Sequence, residues 1–139
     1  MIRTGKQSDR EAIATFDRID ADRSSELAEG RVMVVVTGGE VVAFATFREG
    51  GFFGRPCVDS LTVKPTHHHR GIGRSLIRAV EKRVRSERGG GRVFAATPEK
   101  VTALRDFYER GGWSFAGTVR GVRGDDAADC LYFRDLVSA

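Results

Sequence analysis

Two glycines that follow an apolar strand and open an amphipathic helix constrain the fold of this chain more than any other sequence feature. Pro56–Val63 predicts a strand that ends at Lys64-Pro65, because the segment is rich in apolar and β-branched residues. The segment 71–88 predicts a helix with one apolar face. Arg92–Ala96 then predicts a short apolar strand. Strand, helix and strand in this order form a βαβ unit, so we expect the two strands to be parallel.

The remaining strands are expected to be hairpin-connected. Val32–Val36 and Val41–Phe47 flank Gly38-Gly39, a pair that suits a two-residue hairpin turn. Further strands are predicted at Met1–Thr4, Trp113–Arg120 and Cys130–Val137. The predicted fold is therefore α/β, with a mixed, mostly antiparallel sheet, a central parallel strand pair and helices on both faces.

Three local patterns predict where two helices begin and where a loop lies. Ser8-Asp9-Arg10-Glu11 has the form of a capping box, which predicts a first helix with Ile13 and Ile19 on its apolar face. Thr97-Pro98-Glu99 predicts the start of the last helix, with Thr97 as the N-cap and Pro98 as the first helical residue. Glu49–Arg55 contains glycines and predicts a loop.

Length and composition limit the class of protein. The chain has 139 residues, 40% of them hydrophobic and 30% charged, so we expect a single domain spanning residues 1–139. No apolar run approaches the ~20 residues that cross a bilayer, and the N-terminus lacks the apolar segment of a secretory signal. Two cysteines are too few for a disulfide scaffold, which favours free thiols and a cytoplasmic location. The net charge of +4 suits an anionic ligand without identifying one.

The glycine pair also predicts a phosphate site. Gly71 and Gly73 allow backbone amides to approach a ligand closely, and the helix N-terminus supplies unpaired N–H groups with a partial positive charge. Arg70 and Arg74 flank the pair as cations. A loop that only needs flexibility before a helix would look the same. The three-glycine dinucleotide fingerprint is excluded, because Leu76 stands where its third glycine would be.

Two ordered motifs identify a family resemblance. Val63-Lys64-Pro65 is followed by His68-His69-Arg70-Gly71-Ile72-Gly73, and the later segment Phe107–Trp113 reads Phe-Tyr-Glu-Arg-Gly-Gly-Trp. This set resembles the GNAT family of N-acetyltransferases over nearly the whole chain. His68 stands where that family usually has Arg or Gln, and Val101 stands where many members carry Asn.

The resemblance implies acetyl-CoA as the co-substrate, an amine as the acceptor and no metal. It also implies that the central parallel strands splay apart to admit pantetheine, which pairs with the main chain of β-strand residues 61–63. The pyrophosphate is expected on the loop and first helical turn at 68–75. The expected cofactor-binding residues are Leu61, Thr62, Val63, His68, His69, Arg70, Gly71, Ile72, Gly73, Arg74 and Ser75.

Two side chains are candidates for the proton transfers. Tyr108 matches the position of the family's usual general acid, which protonates the departing thiolate; the alternative is a packed aromatic residue. Asp59 is a candidate base for the attacking amine, because it is an acid within an apolar strand. The alternative for Asp59 is a carboxylate bonded to loop amides, and Glu49 is a weaker candidate base.

Several other interpretations stay open at this point. His67–His69 lacks the spacing of a zinc motif, and Cys57 is better interpreted as a buried thiol than as an acetylated nucleophile. The acceptor is either a small-molecule amine or a protein amine, and proteins resembling this one are commonly homodimers. We expect no nucleic-acid or membrane partner. The alternatives are a small basic module that binds RNA or a protein with a degenerate cofactor loop, and an acyltransferase that uses a longer acyl-CoA.

Overall fold

The computed structural model describes residues 1–122 and 124–136, which contain seven strands and four helices in the predicted order. The strands are β1 (Ile2–Thr4), β2 (Val32–Thr37), β3 (Glu40–Phe52), β4 (Arg55–Val63), β5 (Gly91–Pro98), β6 (Ser114–Arg120) and β7 (Ala128–Leu136). The helices are α1 (Arg10–Ala14), α2 (Ser24–Ala28), α3 (Ile72–Arg88) and α4 (Thr102–Arg110). Short 3-10 turns lie at Gln7–Asp9 and Pro65–His67. Val137, predicted to end the last strand, lies outside the described residues.

The strands form a mixed sheet with one parallel pair. Hydrogen bonds join them in the order β1-β2-β3-β4-β5-β7-β6. β4 and β5 are parallel, with Cys57 opposite Phe94 and Val58 opposite Ala95. The pairs β1–β2, β2–β3, β5–β7 and β6–β7 are antiparallel. The predicted mixed α/β fold with a parallel strand pair is thus confirmed.

The predicted first hairpin is also confirmed. β2 and β3 are joined by Gly38 and Gly39, whose φ angles are 57° and 79°. Thr37 and Glu40 pair directly across this turn. Positive φ at both central residues defines the turn type whose twist matches that of the strands, which explains the glycine pair.

The chain divides into two compact units, of which the first comprises Met1–Phe47 and Ser60–Arg83. Residues of α1, α2, β2 and β3 form one buried apolar cluster in it: Ile13, Leu27, Val32, Val34, Val41 and Phe44. A buried ion pair lies in the same unit, where the Arg23 guanidinium contacts the Asp17 carboxylate at 2.9 Å. The side chain of Arg23 also donates to Ser60 Oγ at 3.2 Å, so the segment after α1 is fastened to β4.

The second unit comprises Arg48–Asp59 and Val84–Ala139. Val93 and Ala95 of β5 are fully buried, as is Tyr132 of β7. The ring of Tyr108 on α4 stacks on that of Tyr132, with centroids 5.8 Å apart. Trp113 packs edge-on against Tyr108 at 5.1 Å, so aromatic rings make up much of this core.

The predicted helix start at Thr97 is wrong. β5 continues through Thr97 and Pro98, which lie opposite Cys130 and Asp129 in the β5–β7 ladder. The helix begins only at Thr102. The local capping preference of Thr-Pro is outweighed by pairing with a long neighbouring strand, and Pro98 is tolerated because it ends the strand.

The predicted capping box at Ser8 is wrong as well. Ser8 lies inside the 3-10 turn, and the Asp9 carboxylate instead accepts the Lys6 N–H at 2.8 Å. The physical reason is that the Arg3 guanidinium also donates two hydrogen bonds to the Asp9 carboxylate, at 2.7 and 2.9 Å. The chain therefore folds around this carboxylate. Because α1 then ends at Ala14, Ile19 lies outside the helix and is 55% exposed.

The predicted loop at Glu49–Arg55 is a second hairpin. β3 runs to Phe52, and only Phe53 and Gly54 stand between it and β4. The guanidinium of Arg88 donates to the carbonyls of Glu49 (3.1 Å) and Gly54 (3.3 Å). These hydrogen bonds stabilise the hairpin. The sequence did not predict it, because its glycines have low strand propensity.

Candidate functional site

The loop between β4 and α3 is short and internally bonded. After Val63 the chain makes a 3-10 turn, in which the N–H of His67 donates to the Lys64 carbonyl at 2.8 Å. The N–H of His68 donates to the Pro65 carbonyl at 3.3 Å. His68 Nε2 lies 2.8 Å from the Val63 carbonyl oxygen, so the imidazole ties the loop back to the end of β4.

The glycine loop, which we define as His68–Arg74, has the backbone geometry of a ligand cradle. His69 and Gly71 have φ angles of 63° and 76°, so the chain turns sharply before α3. Apart from the neighbours of Gly71 in the chain, no atom of residues 1–122 and 124–136 lies within 4 Å of where a Cβ on Gly71 would be, which leaves space beside the backbone. Gly73 lies in the first turn of α3, where the backbone does not require a glycine. A glycine inside a helix is less favourable than alanine, so its presence here has no advantage for the helix itself.

The first turn of α3 begins with backbone N–H groups that precede its first helical hydrogen bond. The Ser75 N–H makes the first helical bond, to the Gly71 carbonyl at 3.1 Å. The N–H groups of Ile72–Arg74 precede that bond and point from the helix N-terminus. Arg70, Arg74 and Ser75 are exposed, and this end of the helix carries a partial positive charge. The arrangement can bind a phosphate or pyrophosphate group.

The end of β4 leads into this cradle. Leu61 and Thr62 are buried, and Val63 is half-buried. A guanidinium N–H of Arg18 donates to the Leu61 carbonyl at 3.2 Å, while His68 contacts that of Val63. Two of the main-chain oxygens at the end of β4 are therefore in contact with long polar side chains. The sequence gives no periodic or spacing signal for the contact made by Arg18.

Asp59 is held by an ion pair that the sequence did not predict. Its two carboxylate oxygens contact Arg48 Nε at 2.7 Å and Arg48 Nη2 at 2.9 Å. Both side chains are partly exposed, at 26% for Asp59 and 57% for Arg48. This pairing joins side chains of β3 and β4, and it differs from the alternative of a carboxylate bonded to loop amides. A prediction of the hairpin that joins these strands would have placed Arg48 and Asp59 on neighbouring strands.

Tyr108 is a buried aromatic residue. It is 2% exposed and is enclosed by the rings of Phe107, Trp113 and Tyr132. The hydroxyl of Tyr132 donates to Glu109 Oε1 at 3.3 Å and accepts from Arg105 Nε at 3.4 Å. Burial of Tyr132 is the largest cause of the increase in its pKa above the ordinary value. The two tyrosines are thus stacked phenols in one core.

Cys57 is a poor nucleophile in this structure. Its side chain is 3% exposed, and burial, with a smaller contribution from the Asp59 charge, raises the pKa of the thiol to about 12. A thiol with this pKa is protonated at neutral pH.

The histidine run makes contacts within its own loop and with the end of β4. Within residues 1–122 and 124–136, no three His, Cys, Asp or Glu side chains converge as metal ligands. His67 Nδ1 instead lies 2.9 Å from the Thr66 hydroxyl, and His68 contacts Val63. Over the same residues, none of the helices is both long and apolar enough to span a bilayer.

Comparison with known proteins gives one family match. The model of the acetyltransferase (GNAT) family matches residues 4–113. This segment holds β4, the glycine loop, α3 and the Phe-Tyr-Glu-Arg-Gly-Gly-Trp segment. No curated protein sequence matches the chain.

Solved structures share the fold at low identity. A GNAT-family acetyltransferase from Bacillus cereus ATCC 10987 is 19% identical, with a TM-score of 0.82 over 99% of this chain and 97% of its own. The ribosomal-protein-S18-alanine N-acetyltransferase of Escherichia coli is 15% identical, with a TM-score of 0.79 over 100% and 95%. An aminoglycoside 6'-N-acetyltransferase complexed with coenzyme A is 17% identical, with a TM-score of 0.77 over 100% and 98%.

Proposed function

Because the chain belongs to the GNAT family of acetyltransferases, we propose that it transfers the acetyl group of acetyl-CoA to a primary amine by direct attack in a ternary complex. The observation that carries this proposal is the glycine loop, with its open space above Gly71 and the unpaired amides that open α3. Pyrophosphate is a dianion of the size that such a cradle binds.

The glycine loop would hold the pyrophosphate of acetyl-CoA. The amides of Ile72–Arg74 would donate to phosphate oxygens, and the exposed Arg70 and Arg74 would add charge-assisted contacts. Gly73 would matter because a side chain there would stand between the helix and the phosphate. His68 would fix the loop through its contact with Val63, in place of the Arg or Gln usual in the family.

The main chain of Leu61–Val63 would position pantetheine and the thioester. A backbone N–H in this stretch can donate to the thioester oxygen as negative charge develops on it. Carbonyl groups in the same stretch can accept from the pantetheine amides. Since Arg18 and His68 contact the carbonyls of Leu61 and Val63, one or both side chains would exchange partners when pantetheine binds.

Asp59 and Tyr108 are our proposed proton-transfer groups. Asp59 would accept a proton from the acceptor ammonium, because only the neutral amine can attack the thioester. Its carboxylate oxygens each retain a lone pair beyond the bonds to Arg48. Tyr108 would donate its phenolic proton to the departing CoA thiolate. Tyrosine has an ordinary pKa of ~10, so it is protonated at neutral pH and can act as this donor.

Direct transfer is favoured over an acetyl-cysteine intermediate. The Cys57 thiol has a pKa of about 12 and is buried, so a thiolate is scarce at neutral pH. The charge of Asp59 raises the pKa of the Cys57 thiol further, because it repels a thiolate instead of activating the thiol. The amine would therefore attack the thioester itself.

The acceptor is proposed only as an amine. Among the structural neighbours, one bears the name of an aminoglycoside acetyltransferase and another that of an S18-alanine acetyltransferase, so this fold serves both small-molecule and protein amines. A homodimer remains our expectation from the family.

Gly73→Ala is the sharpest test of the proposed cofactor site. The substitution should raise thermal stability, because alanine is favoured over glycine in a helix by up to about 1 kcal/mol. It should also weaken acetyl-CoA binding by at least about tenfold, because the added methyl group stands in the phosphate path. Isothermal titration measures the affinity, and thermal denaturation measures the stability.

Ser86→Ala is the matched control, since Ser86 is an exposed residue of the same helix outside the glycine loop. It should leave acetyl-CoA affinity unchanged. Equal affinity of Gly73→Ala and the wild type would refute the assignment of the loop. Absence of acetyl-CoA binding to the wild type would instead favour the alternative of a binding module for RNA or protein.

A further inference from the structure

The β3–β4 hairpin ends in an unusual residue. Phe53 and Gly54 form its two-residue turn, with φ angles of 49° and 77°. Turns with positive φ at both positions favour Asn, Asp or Gly, and a bulky aromatic residue is disfavoured there. Phe53 is also 91% exposed. A residue that is unfavourable for the backbone and for its contact with water points to a role outside folding.

A cavity of about 430 Å³ lies beside this turn, wholly within the second unit. Its principal lining residues are Phe52, Phe53, Phe94, Arg55, Arg92 and Asp135. The ring of Phe52 contacts those of Phe53 and Phe94, in both cases with centroids 4.8 Å apart. One wall of the cavity is therefore aromatic. The volume of the cavity falls in the range of ~300–1,000 Å³ that is typical of small-molecule pockets.

The charged residues that line the cavity carry a net positive charge. The Arg92 guanidinium pairs with Asp135 at 2.7 Å and lies 4.0 Å from the ring centroid of Phe133, so its charge is balanced. Arg55 is exposed and forms no ion pair with any carboxylate in residues 1–122 and 124–136. The two arginines and one aspartate leave one net positive charge beside the aromatic wall.

We propose that this cavity, which we call the hairpin pocket, binds a small organic anion with a flat aromatic body. Its ring would stack against Phe53 and Phe94, and its carboxylate or sulfonate would bind Arg55. The concave shape and the single unpaired cation favour a small molecule over a nucleic acid or a membrane, which need extended basic surfaces. The site goes beyond acetyl transfer, because the proposed reaction uses none of these residues.

A fluorescence titration with 8-anilinonaphthalene-1-sulfonate tests the proposal on the folded, full-length chain. We expect saturable binding of one equivalent. N-phenyl-1-naphthylamine, which has a similar ring system without the sulfonate, should bind at least about tenfold more weakly, since a charged hydrogen bond is lost. Arg55→Gln should weaken the anionic probe by a similar factor and leave the neutral probe unchanged.

Phe53→Gly separates binding from folding. Glycine suits the positive φ of this turn, so the variant should be at least as stable as the wild type, while its affinity for the anionic probe falls severalfold. Val122→Ser, which removes another exposed apolar side chain, is the control and should bind as the wild type does.

Four results would each overturn the proposal. The first is the absence of saturable binding of the sulfonate probe. The second is equal binding by the wild type, Arg55→Gln and Phe53→Gly. The third is equal affinity for the neutral probe, which would remove the anion requirement. The fourth is displacement of the probe by saturating acetyl-CoA, because the probe would then report the glycine loop.

Discussion

At the scale of single residues, the hydroxyl of Tyr108 is the group on which the proposed chemistry depends most. The ring contacts those of Phe107, Trp113 and Tyr132, so a variant that keeps the ring and removes only the oxygen retains these contacts. We therefore predict that Tyr108→Phe lowers kcat by ~10²–10⁴-fold with little change in the Kd for acetyl-CoA. Steady-state kinetics and titration measure the two quantities, and the alkaline limb of the pH–rate profile should vanish.

Tyr132→Phe is the matched control for that variant. Tyr132 is the stacked neighbour of Tyr108, and its hydroxyl contacts Glu109 and Arg105. Loss of this hydroxyl should alter stability but leave kcat within about twofold, since the proposed reaction does not use it. A Tyr108→Phe variant with full kcat, under conditions where chemistry limits the rate, would make Tyr108 a packing residue only.

Asp59 can be separated from its ion pair by a second pair of variants. Asp59→Asn removes the carboxylate and should lower kcat by ~10²–10⁴-fold if Asp59 is the base. Arg48→Gln breaks the same ion pair but leaves the carboxylate in place, so it should retain most of the activity. Initial rates at saturating acetyl-CoA make the comparison. Equal losses in both variants would show that the ion pair stabilises the structure and that the base is elsewhere.

At the scale of elements, the whole of α3 and the end of α4 were predictable, but the start of α4 was not, for a physical reason. α3 carries its own apolar stripe and is preceded by glycines, so local pattern alone defines it to within one residue. The start of α4 depends on how far β5 stays paired with β7, a partner more than thirty residues away in sequence. A capping signal at Thr97 describes only a local preference, which sheet pairing overrides.

The N-terminal elements are organised by Asp9 rather than by a serine cap. The Arg3 guanidinium is the first cause of the lowering of the Asp9 pKa, and the Lys6 N–H lowers it further. A lowered pKa in the folded state means that the carboxylate stabilises the fold above its unfolded pKa of ~4, and that this contribution is lost as pH falls through the folded value.

We therefore predict that Asp9→Asn lowers the free energy of unfolding at pH 7 by about 1–2 kcal/mol. The difference from the wild type should shrink at an acidic pH well below the unfolded pKa of ~4, where the wild-type carboxyl gains its proton. Urea denaturation at both pH values measures the effect. A difference that is independent of pH would show that shape, and not the charge on Asp9, organises the turn.

At the scale of the whole molecule, the strand and helix order and the parallel pair could be predicted, because each element carries its own periodicity. The side-chain contacts made by the proposed site residues could not be predicted. The contact of Arg48 with Asp59 forms only when two strands align in the sheet. The contact of Arg18 with Leu61 forms only when the chain folds back on itself. The hairpin at Phe53 was missed because glycines around it weaken the strand pattern, although the same turn borders the hairpin pocket.

Binding of acetyl-CoA should stabilise the molecule as a whole by mass action. At a concentration of 100 Kd the gain is ~2.7 kcal/mol, which corresponds to a rise in Tm of roughly 5–11 °C for a domain of this size. Thermal denaturation with and without acetyl-CoA measures the shift. The shift should fall as salt is added, because part of the attraction between the exposed arginines of the glycine loop and the phosphates is screened.

The decisive comparison is between the Tm shifts that acetyl-CoA produces in Gly73→Ala and in the wild type. Without ligand the variant should melt at a higher temperature than the wild type, because its helix is improved. With the same concentration of acetyl-CoA, a tenfold weaker affinity lowers the gain by about 1.4 kcal/mol, so its Tm should rise by a few degrees less than that of the wild type. Stability and ligand response would then move in opposite directions in one variant. Equal shifts in both proteins would mean that acetyl-CoA, if bound, does not lie against the N-terminus of α3.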